Sequence, residues 1–315
     1  MDLDRPRRVN GLSRPYTAAQ ISTWVFLPML VLQFLFFAAP LLPIAASIPC
    51  SIIFCGLAAC SSYFGYLSMK VDPVDPRLTS NNPSDLSTGP TKQCWICDTQ
   101  VGEKSMHCKF CNKCVDHFDH HCMWLNTCIG KSNYKYFFRT MISITSLLFV
   151  HGSILLALII DIFVGSGKTK ARTEEWFQLD ATIPIVVVLC IFLLFDLACF
   201  SLMFQLLIFH LKLQREGLTT YAFIVRDNQR RREKTKADNE LAAKRAQEIE
   251  RATETGRSCY RCKLKVGGFL RSTCGLELCD PLHVSRKQAT TDETAVLEMT
   301  NGVNGADGAR TTQDS

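Results

Sequence analysis

A short central part of the chain is rich in residues that bind metal ions or act as nucleophiles. Seven of the sixteen cysteines and four of the seven histidines lie between residues 94 and 128. Thiolate and imidazole are the ligands that a tetrahedral Zn²⁺ prefers, so paired cysteines interspersed with histidines predict zinc sites. A disulfide framework is the alternative interpretation, and it would require this segment to face an oxidising compartment.

The number of possible ligands exceeds what two zinc ions need. Two closed four-ligand sites would use eight of these eleven residues, and spacing alone does not decide which three remain. The stretch Asp119-His120-His121-Cys122 suggests one answer, because it places a carboxylate, an imidazole and a thiol side by side. An imidazole can lower the pKa of a thiol, and a carboxylate can orient that imidazole. The segment therefore also predicts a nucleophilic cysteine, held rigidly by neighbouring zinc sites.

Four long apolar runs predict the elements that must position this segment. Each is about as long as the roughly 20 helical residues that cross a hydrocarbon core, or longer. The runs cover residues 22–39, 41–67, 141–164 and 183–209. Pro28 and Gln33 interrupt the first run, so a re-entrant or buried segment is the alternative there. That run is too long for a signal peptide, and a second run follows at once. The predicted fold class is an α-helical polytopic membrane protein with four transmembrane helices. A small cytosolic zinc-binding cysteine-rich domain is expected between helices 2 and 3, and a single soluble globular domain is excluded.

The distribution of Lys and Arg predicts the orientation in the membrane. Residues 1–20 carry four arginines and residues 70–139 carry nine basic residues, whereas the first connection carries none. The connection at 165–182 balances three basic residues against three acidic ones. Because positive residues stay on the cytoplasmic side, both termini and the cysteine-rich segment are expected in the cytosol. The cytosol is a reducing compartment, which favours zinc over disulfides.

The expected domain organisation follows from these patterns. It comprises a cytosolic segment at 1–20, a transmembrane hairpin at 21–69, a cytosolic catalytic domain at 70–139, helices at 140–164 and 183–211 around a lumenal loop at 165–182, and a cytosolic tail at 212–315. The tail is expected to hold a charged helix, a cysteine-rich patch at 259–279 and disorder from about residue 288. The four apolar runs predict the lipid bilayer as a partner. A net charge of +6 is mild, so no nucleic acid is expected as a partner.

Several polar and sulfur-bearing residues leave alternatives open. Asp196 lies inside the fourth apolar run, where a carboxylate is either functional or neutral and bonded to a neighbouring helix. His151 is expected to form an interhelical hydrogen bond, with a catalytic role as the alternative. The tail cysteines could form a third zinc site, carry lipids or remain free thiols, and they are Cys259, Cys262, Cys274 and Cys279.

The motif Asp119-His120-His121-Cys122 resembles the cysteine-rich domain of the Asp-His-His-Cys (DHHC) family of membrane protein S-acyltransferases, the palmitoyltransferases. The resemblance covers residues 94–138 closely and the four helices more weakly, and it ends at about residue 228. Its further residues are Trp124, Asn126, Cys128, Gly130, Asn133 and Phe137.

The resemblance implies a role for each matching residue. Cys122 would be the acyl-accepting nucleophile, His120 the base that activates it, and Asp119 the group that orients His120. One structural zinc would be held by Cys94, Cys97, His107 and Cys114, and a second by Cys108, Cys111, His121 and Cys128.

The resemblance also implies the reaction. Cys122 would take a fatty acyl group, usually palmitoyl, from palmitoyl-CoA or another acyl-CoA and pass it to a cysteine of a membrane-associated substrate protein. Each step exchanges one thioester for another, so ATP is not needed. An endomembrane location, in the endoplasmic reticulum or the Golgi, is expected. Basic residues near the cytosolic face could meet the phosphates of the coenzyme or serve as positive-inside anchors, and they are Lys131, Lys135 and Arg139.

Some positions depart from the family pattern. Ala222 stands where the family carries Glu in Thr-Thr-x-Glu, Val74 where it carries Gly in Asp-Pro-Gly, and Met123 where Pro follows the catalytic cysteine. The Lys/Arg-Pro element before His107 is absent. A zinc-stapled membrane adaptor with little or no acylation chemistry is therefore the alternative function. The intact Asp119, His120 and Cys122 favour the enzyme.

Overall fold

The computed structural model describes residues 6–80, 89–165, 167–178 and 182–254, without the side chains of 252–254. Within this part of the chain, four helices are long and apolar enough to cross a membrane. They are Ala18–Leu41, Ile44–Lys70, Tyr134–Val164 and Thr182–Glu216. The cysteine-rich segment lies between the second and the third, which confirms the predicted fold class.

The first span is a composite helix. Helix α1, Ala18–Gln33, is capped by Thr17, whose side chain accepts a hydrogen bond from the backbone N–H of Gln20. The chain continues as one π-helical turn, Phe34–Ala38, and ends in a 3₁₀ turn at Leu41. Helix α2, Ile44–Lys70, follows after Pro43, so only two residues separate the first span from the second.

The remaining spans pack around the middle of the bundle. Helix α3, Tyr134–Val164, contacts both α2 and helix α5, Thr182–Glu216. Phe34 stacks on Phe54 with ring centroids 4.1 Å apart, and both side chains are fully buried. This aromatic pair joins the π-helical turn of the first span to α2.

The connection between α3 and α5 contains a further helix, α4, Lys168–Phe177. Arg172 donates a hydrogen bond from Nε to the carbonyl of Leu41 at 2.7 Å, and its guanidinium also donates to Thr169. Thr169 in turn donates to the carboxylate of Asp161. The connection, expected to be a loop, is thus partly helical and is tied to the end of the first span.

The cysteine-rich domain consists of three short antiparallel hairpins. Their strands are β1 Thr91–Cys94, β2 Thr99–Gly102, β3 Met106–Cys108, β4 Lys113–Val115, β5 His120–Cys122 and β6 Thr127–Ile129. A two-stranded hairpin is at best marginally stable in water by itself, because it cannot bury enough apolar surface. The domain therefore depends on other contacts for its stability.

Part of that stability comes from the segment before α1. Lys113, which is 1 % exposed, donates from Nζ to the carbonyls of Arg8 and Val9 at 2.7 and 2.9 Å. The hydroxyl of Thr17 donates to the carbonyl of Met123 at 2.7 Å. The N-terminal segment thus ties the first transmembrane helix to the second and third hairpins.

The last described element is helix α6, Thr220–Glu254. The chain divides into two compact units at Asn228, and the described side chains of the second unit are all exposed. The cysteine-rich patch at 259–279 and the segment from residue 288 lie outside the described residues.

Candidate active site and metal centres

The three hairpins repeat one local pattern every 14 residues. In each hairpin a cysteine ends the first strand and pairs across the hairpin with the first residue of the second strand, as Cys94–Thr99, Cys108–Lys113 and Cys122–Thr127. Each intervening turn contains one residue with positive φ, namely Asp98, Asn112 and Asn126. Asn and Asp tolerate this left-handed conformation better than most residues, which allows the tight turn.

The first group of possible metal ligands joins hairpins one and two. Cys94 and Cys97 come from the turn region of the first hairpin, whereas His107 and Cys114 are cross-strand partners in the second. The Sγ of Cys97 lies 3.3 Å from Nδ1 of His107 and 3.8 Å from the Sγ of Cys114. The structure thus brings together the four residues that the resemblance assigns to one zinc.

The second group joins hairpins two and three in the same way. Cys108 and Cys111 come from the turn region of the second hairpin, and His121 pairs with Cys128 across the third. The Sγ atoms of Cys108, Cys111 and Cys128 lie 3.7, 3.4 and 3.5 Å from Nδ1 of His121. Because the second hairpin supplies ligands to both groups, metal ions bound there would link all three hairpins.

Both groups have the size and chemistry of a zinc site. With Zn–S near 2.3 Å and Zn–N near 2.0–2.1 Å, ligand atoms of a tetrahedral site lie about 3.5–3.8 Å apart, and the ligand atoms of each group lie within 4.8 Å of one another. Burial, helped by the neighbouring thiols, raises the pKa of the Cys114 thiol above its ordinary value. Thiolates crowded into such a site need a cation to balance their charge, so the residues fit zinc.

The same repeat explains why Cys122 is left outside both groups. It occupies the position of Cys94 and Cys108, but Leu125 stands where Cys97 and Cys111 supply the second thiol. Cys122 is 8 % exposed and packs among apolar side chains of the hairpin, α3 and α5, including Ile129, Phe137, Met141, Met203 and Leu207. The thiol therefore lies where the cysteine-rich domain meets the membrane helices.

Asp119 and His120 form a hydrogen-bonded pair next to this thiol. The carboxylate of Asp119, 2 % exposed, lies 2.7 Å from Nδ1 of His120. Burial acts to lower the pKa of His120, but hydrogen bonds to Asp119 and to the side chain of Cys122 outweigh it and raise that pKa to about 9. Since Nδ1 is occupied by Asp119, Nε2 is the nitrogen left for Cys122. The arrangement can hold an imidazolium beside a thiolate.

Thr220 at the start of α6 holds the carboxylate from its other side. Its backbone N–H donates to Oδ1 of Asp119 at 2.8 Å, and its hydroxyl donates to Oδ2 at 2.7 Å. Burial alone would raise the pKa of Asp119, but the hydrogen bonds from His120 and Thr220 hold that pKa below its usual range. The sequence did not single out Thr220. The signal that could have found it is the Thr219-Thr220 pair, which begins the Thr-Thr-x-Glu element that ends here in Ala222.

Tyr134 and His210 are two further residues that the sequence did not single out. The hydroxyl of Tyr134 lies 3.1 Å from Nδ1 of His210, and the His210 ring centroid lies 6.1 Å from that of His120. They come from α3 and α5, far apart in sequence, so no local pattern places them beside His120.

The basic residues considered for coenzyme phosphates make local contacts. Lys131 lies 3.8 Å from the carboxylate of Asp116, and Lys135 lies over the ring of its neighbour Tyr136 at 4.9 Å. The guanidinium of Arg139 lies 5.5 Å from the ring centroid of Phe64 in α2. His117, the fourth histidine of the cysteine-rich segment, belongs to neither ligand group; it pairs with Asp116 at 2.7 Å and is partly exposed.

The unusual residues of the family motifs fit the local structure. Val74 lies opposite Val115 in an isolated β-bridge, and its N–H donates to Asp72. Met123 is 45 % exposed and uses its carbonyl to bind Thr17. The N–H of Ala222 donates to the hydroxyl of Thr219 at 3.2 Å.

Inside the membrane spans, Nδ1 of His151 lies 2.8 Å from Oδ1 of Asp196. The two residues come from α3 and α5, so His151 makes the interhelical hydrogen bond that the sequence predicts. Asp196 thus has a partner on a neighbouring helix, as one of its two alternative interpretations requires.

The chain is similar to known proteins of one family. Residues 87–227 match the family model described as DHHC palmitoyltransferase. The chain is 30% identical over 259 residues to "Probable palmitoyltransferase ZDHHC11B" of Homo sapiens, covering 74% of this chain and 69% of that protein. It is also 30% identical over 259 residues to "Palmitoyltransferase ZDHHC11" of Homo sapiens, covering 74% of this chain and 62% of that protein. With "Protein S-acyltransferase 18" of Arabidopsis thaliana it shares 36% identity over 168 residues, 50% of this chain and 32% of the relative.

The matched region contains all three hairpins, both groups of possible zinc ligands and the Asp119–His120–Cys122 arrangement. The longer matches cover 74% of this chain. The chain therefore belongs to the DHHC palmitoyltransferase family and is an integral membrane protein S-acyltransferase.

Proposed function

We propose that Cys122 carries a fatty acyl group, palmitoyl in the first place, from acyl-CoA to a cysteine of a membrane-associated substrate protein. The observation that supports this most directly is the buried Asp119 carboxylate, 2.7 Å from Nδ1 of His120, which shares strand β5 with Cys122. A carboxylate that orients an imidazole beside a thiol activates that thiol as a nucleophile.

In the loading step, the Cys122 thiolate attacks the thioester carbonyl carbon of acyl-CoA. A new C–S bond forms to Cys122 and the C–S bond to the coenzyme breaks, and the protonated His120 supplies a proton to the departing coenzyme thiolate. Asp119 keeps His120 in the required tautomer throughout, because its carboxylate holds Nδ1.

In the transfer step, His120 accepts the proton of the incoming substrate cysteine. That cysteine attacks the acyl-Cys122 thioester, the acyl group moves to the substrate, and Cys122 returns to its thiolate form beside a protonated His120. Both steps exchange one thioester for another, so no external energy source enters the balance.

The surroundings of Cys122 suit a long acyl chain. Apolar side chains of α3 and α5 pack against Cys122 from the membrane side. Asp119 and His120 lie at the third hairpin, and Thr220 holds the carboxylate of Asp119. An apolar environment excludes water and so protects the acyl-enzyme from hydrolysis.

Two zinc ions are proposed to hold the catalytic hairpin in place. Bound zinc would neutralise the thiolates and cross-link the hairpins. The first ion would bind Cys94, Cys97, His107 and Cys114, and the second Cys108, Cys111, His121 and Cys128. The second group includes His121 and so lies directly beside the catalytic residues, whose positions depend on it.

We further propose that the cysteine-rich domain and both termini face the cytosol of an endomembrane, the endoplasmic reticulum or the Golgi. The basic residues at 1–20 and 70–139 support this orientation, because positive residues remain on the cytoplasmic side. Acyl-CoA would then reach Cys122 from the cytosol.

Incubation of the purified full-length protein with labelled palmitoyl-CoA tests the function. Wild-type protein should take up label that hydroxylamine releases, as expected of a thioester. Cys122→Ser should take up none, and His120→Ala should load about 10²–10⁴-fold more slowly, the usual range for lost acid–base assistance. Zinc content should remain unchanged in Cys122→Ser because Cys122 belongs to neither ligand group.

Two outcomes would contradict the proposal. Label that persists in Cys122→Ser would mean that another cysteine is the acceptor. Folded, zinc-loaded wild-type protein that takes up no label would favour the adaptor.

A further inference from the structure

A cavity of about 710 Å³ lies within the membrane spans, between the first span, α3 and α5. It extends along the first span from Ser22 to Phe37, and most of its wall is apolar. Its volume falls in the range of about 300–1,000 Å³ typical of pockets that hold one small molecule. None of the residues placed in the acyl-transfer site above lines it.

Three buried polar side chains line this largely apolar cavity. Gln33, His151 and Asp196 are 9 %, 1 % and 2 % exposed. Both polar atoms of the Gln33 amide and Nε2 of His151 have no hydrogen-bond partner. Buried polar atoms are nearly always paired, because an unpaired one in an apolar environment carries a large desolvation cost. These three atoms therefore call for a partner that enters the cavity.

The polar end of the cavity is constructed by several neighbouring features. Asp196 orients His151 through the 2.8 Å bond to Nδ1, which turns Nε2 away from the pair. Gly152 makes room for the carboxylate, since a Cβ there would lie 2.5 Å from Oδ2 of Asp196. Gln33 immediately precedes the π-helical turn Phe34–Ala38. Single π-helical turns inside α-helices occur frequently at functional sites.

From these features we infer that the cavity binds a lipid with one free hydroxyl group on a hydrocarbon body. The apolar wall suits the hydrocarbon, and the hydroxyl would meet Gln33 and His151. A hydroxyl both donates and accepts, so it pairs with Nε2 of His151 in either tautomer and with either end of the Gln33 amide. A carbonyl only accepts and an ammonium only donates, so neither can pair with both the N–H and the oxygen of the Gln33 amide. This inference is independent of the proposed acyl transfer.

The depth of the polar end fits a ligand taken up from the bilayer. Gln33 lies 11 residues beyond Ser22, about 16 Å further along the helix at about 1.5 Å per residue. At that depth water is scarce and cannot satisfy the amide. A long-chain alcohol and a sterol share the required chemistry, and the experiment distinguishes them.

Photolabelling of the full-length protein in phosphatidylcholine nanodiscs tests the site. The probes are a photoreactive C16 alcohol, a photoreactive sterol with a free hydroxyl, and the matched C16 alkane that lacks the hydroxyl. We expect at least one hydroxyl probe to label the peptide containing residues 22–37 about threefold to tenfold more than the alkane does. This range corresponds to one or two hydrogen bonds. The probe that shows the excess identifies the lipid class.

Gln33→Leu should abolish the excess, because it replaces the amide with an apolar side chain of similar size. Met29→Leu, which changes another residue lining the cavity without changing polarity, should retain it. Zinc content reports that both variants are folded. Equal labelling by the alkane and by both hydroxyl probes in the wild type would overturn the inference, as would an excess that persists in Gln33→Leu.

Thermal unfolding gives a second test that needs no variant. A ligand that binds only the folded state raises its unfolding temperature. The unlabelled hydroxyl lipid should therefore stabilise wild-type protein, and the alkane should not. Equal effects of both would also overturn the inference.

Discussion

At the scale of single residues, the proposed catalytic arrangement depends on the buried carboxylate of Asp119. It accepts hydrogen bonds from the backbone and hydroxyl of Thr220 and contacts His120. A buried charge is tolerated only when it is paired and hydrogen-bonded. Because these contacts use both carboxylate oxygens, the orientation of His120 depends on the start of α6 as well as on its own neighbour.

Removal of the Thr220 hydroxyl should therefore slow acyl loading. In Thr220→Val the carboxylate loses one of its hydrogen bonds, and a bond to a charged group is worth about 1.5–3 kcal/mol. We expect loading from palmitoyl-CoA to slow by about tenfold or more, measured by the rate of label uptake. Thr220→Ser keeps the hydroxyl and should load nearly as fast as wild type. Equal rates in Thr220→Val and Thr220→Ser would show that the hydroxyl does not matter.

At the scale of elements, the 14-residue hairpin repeat assigns different chemistry to equivalent cysteines. Cys94 and Cys108 have a second cysteine three residues later, whereas Cys122 has Leu125. The first two therefore belong to groups of four possible ligands, and the third remains a free thiol among apolar side chains. One difference in a repeated element thus separates the proposed nucleophile from the proposed metal ligands.

Loss of one ligand should remove one zinc ion per chain. Cys94→Ser and Cys128→Ser each take a thiolate from a different closed site, and such sites contribute directly to folding free energy. We expect the zinc content to fall from about two ions per chain to about one, and the unfolding temperature to fall as well. Cys60→Ser, an exposed thiol on α2, is the control and should retain both ions. Two zinc ions in either ligand variant would contradict the assignment.

At the scale of the whole molecule, the cysteine-rich domain is fastened to the membrane helices by side chains far apart in sequence. Asn126 donates from Nδ2 to Oε1 of Gln20 at 3.0 Å, and Gln20 donates to the carbonyl of Gly11 at 2.7 Å. Asn133 donates to the carbonyl of Ser68 at the end of α2 and to that of Cys128. These bonds join the hairpin of Cys122 to the first two transmembrane spans.

Truncation of Gln20 should loosen this junction. Gln20 is fully buried, and Gln20→Ala leaves the carbonyl of Gly11 without its donor and removes an acceptor of Asn126. An unsatisfied buried polar group costs about 1–3 kcal/mol, so we expect the free energy of unfolding in detergent to fall by about that amount. Ile21→Ala, on the exposed side of the same helix, is the matched control. Equal destabilisation by both variants would argue against a specific junction.

The proposed orientation of the molecule can be tested with accessibility tags. Tags at the N-terminus, between residues 75 and 90, and at the C-terminus should all be reached by a reagent confined to the cytosol. A tag near Gly167 should be reached only after the membrane is permeabilised, because the basic residues lie on the other side. A shielded tag between residues 75 and 90 would overturn the orientation and the access of acyl-CoA to Cys122.

The sequence by itself determined the class of the fold and the chemistry of the cysteine-rich segment. Apolar runs long enough to cross a bilayer and cysteine pairs at zinc-binding spacing are local patterns. Such patterns can be recognised without knowledge of the fold. The hydrogen bond between His151 and Asp196 was also predictable in kind, since an ionisable residue inside a membrane span needs a partner.

Only the tertiary structure decided which distant residues complete these sites. Thr220 reaches Asp119 across 101 positions of sequence, and His210 reaches Tyr134 across 76. Helix α4 and the unpaired amide of Gln33 depend likewise on how the spans pack. Such contacts follow from the packing of whole elements, and packing is set by shape and burial summed over many residues. The periodicity of one segment does not contain that information.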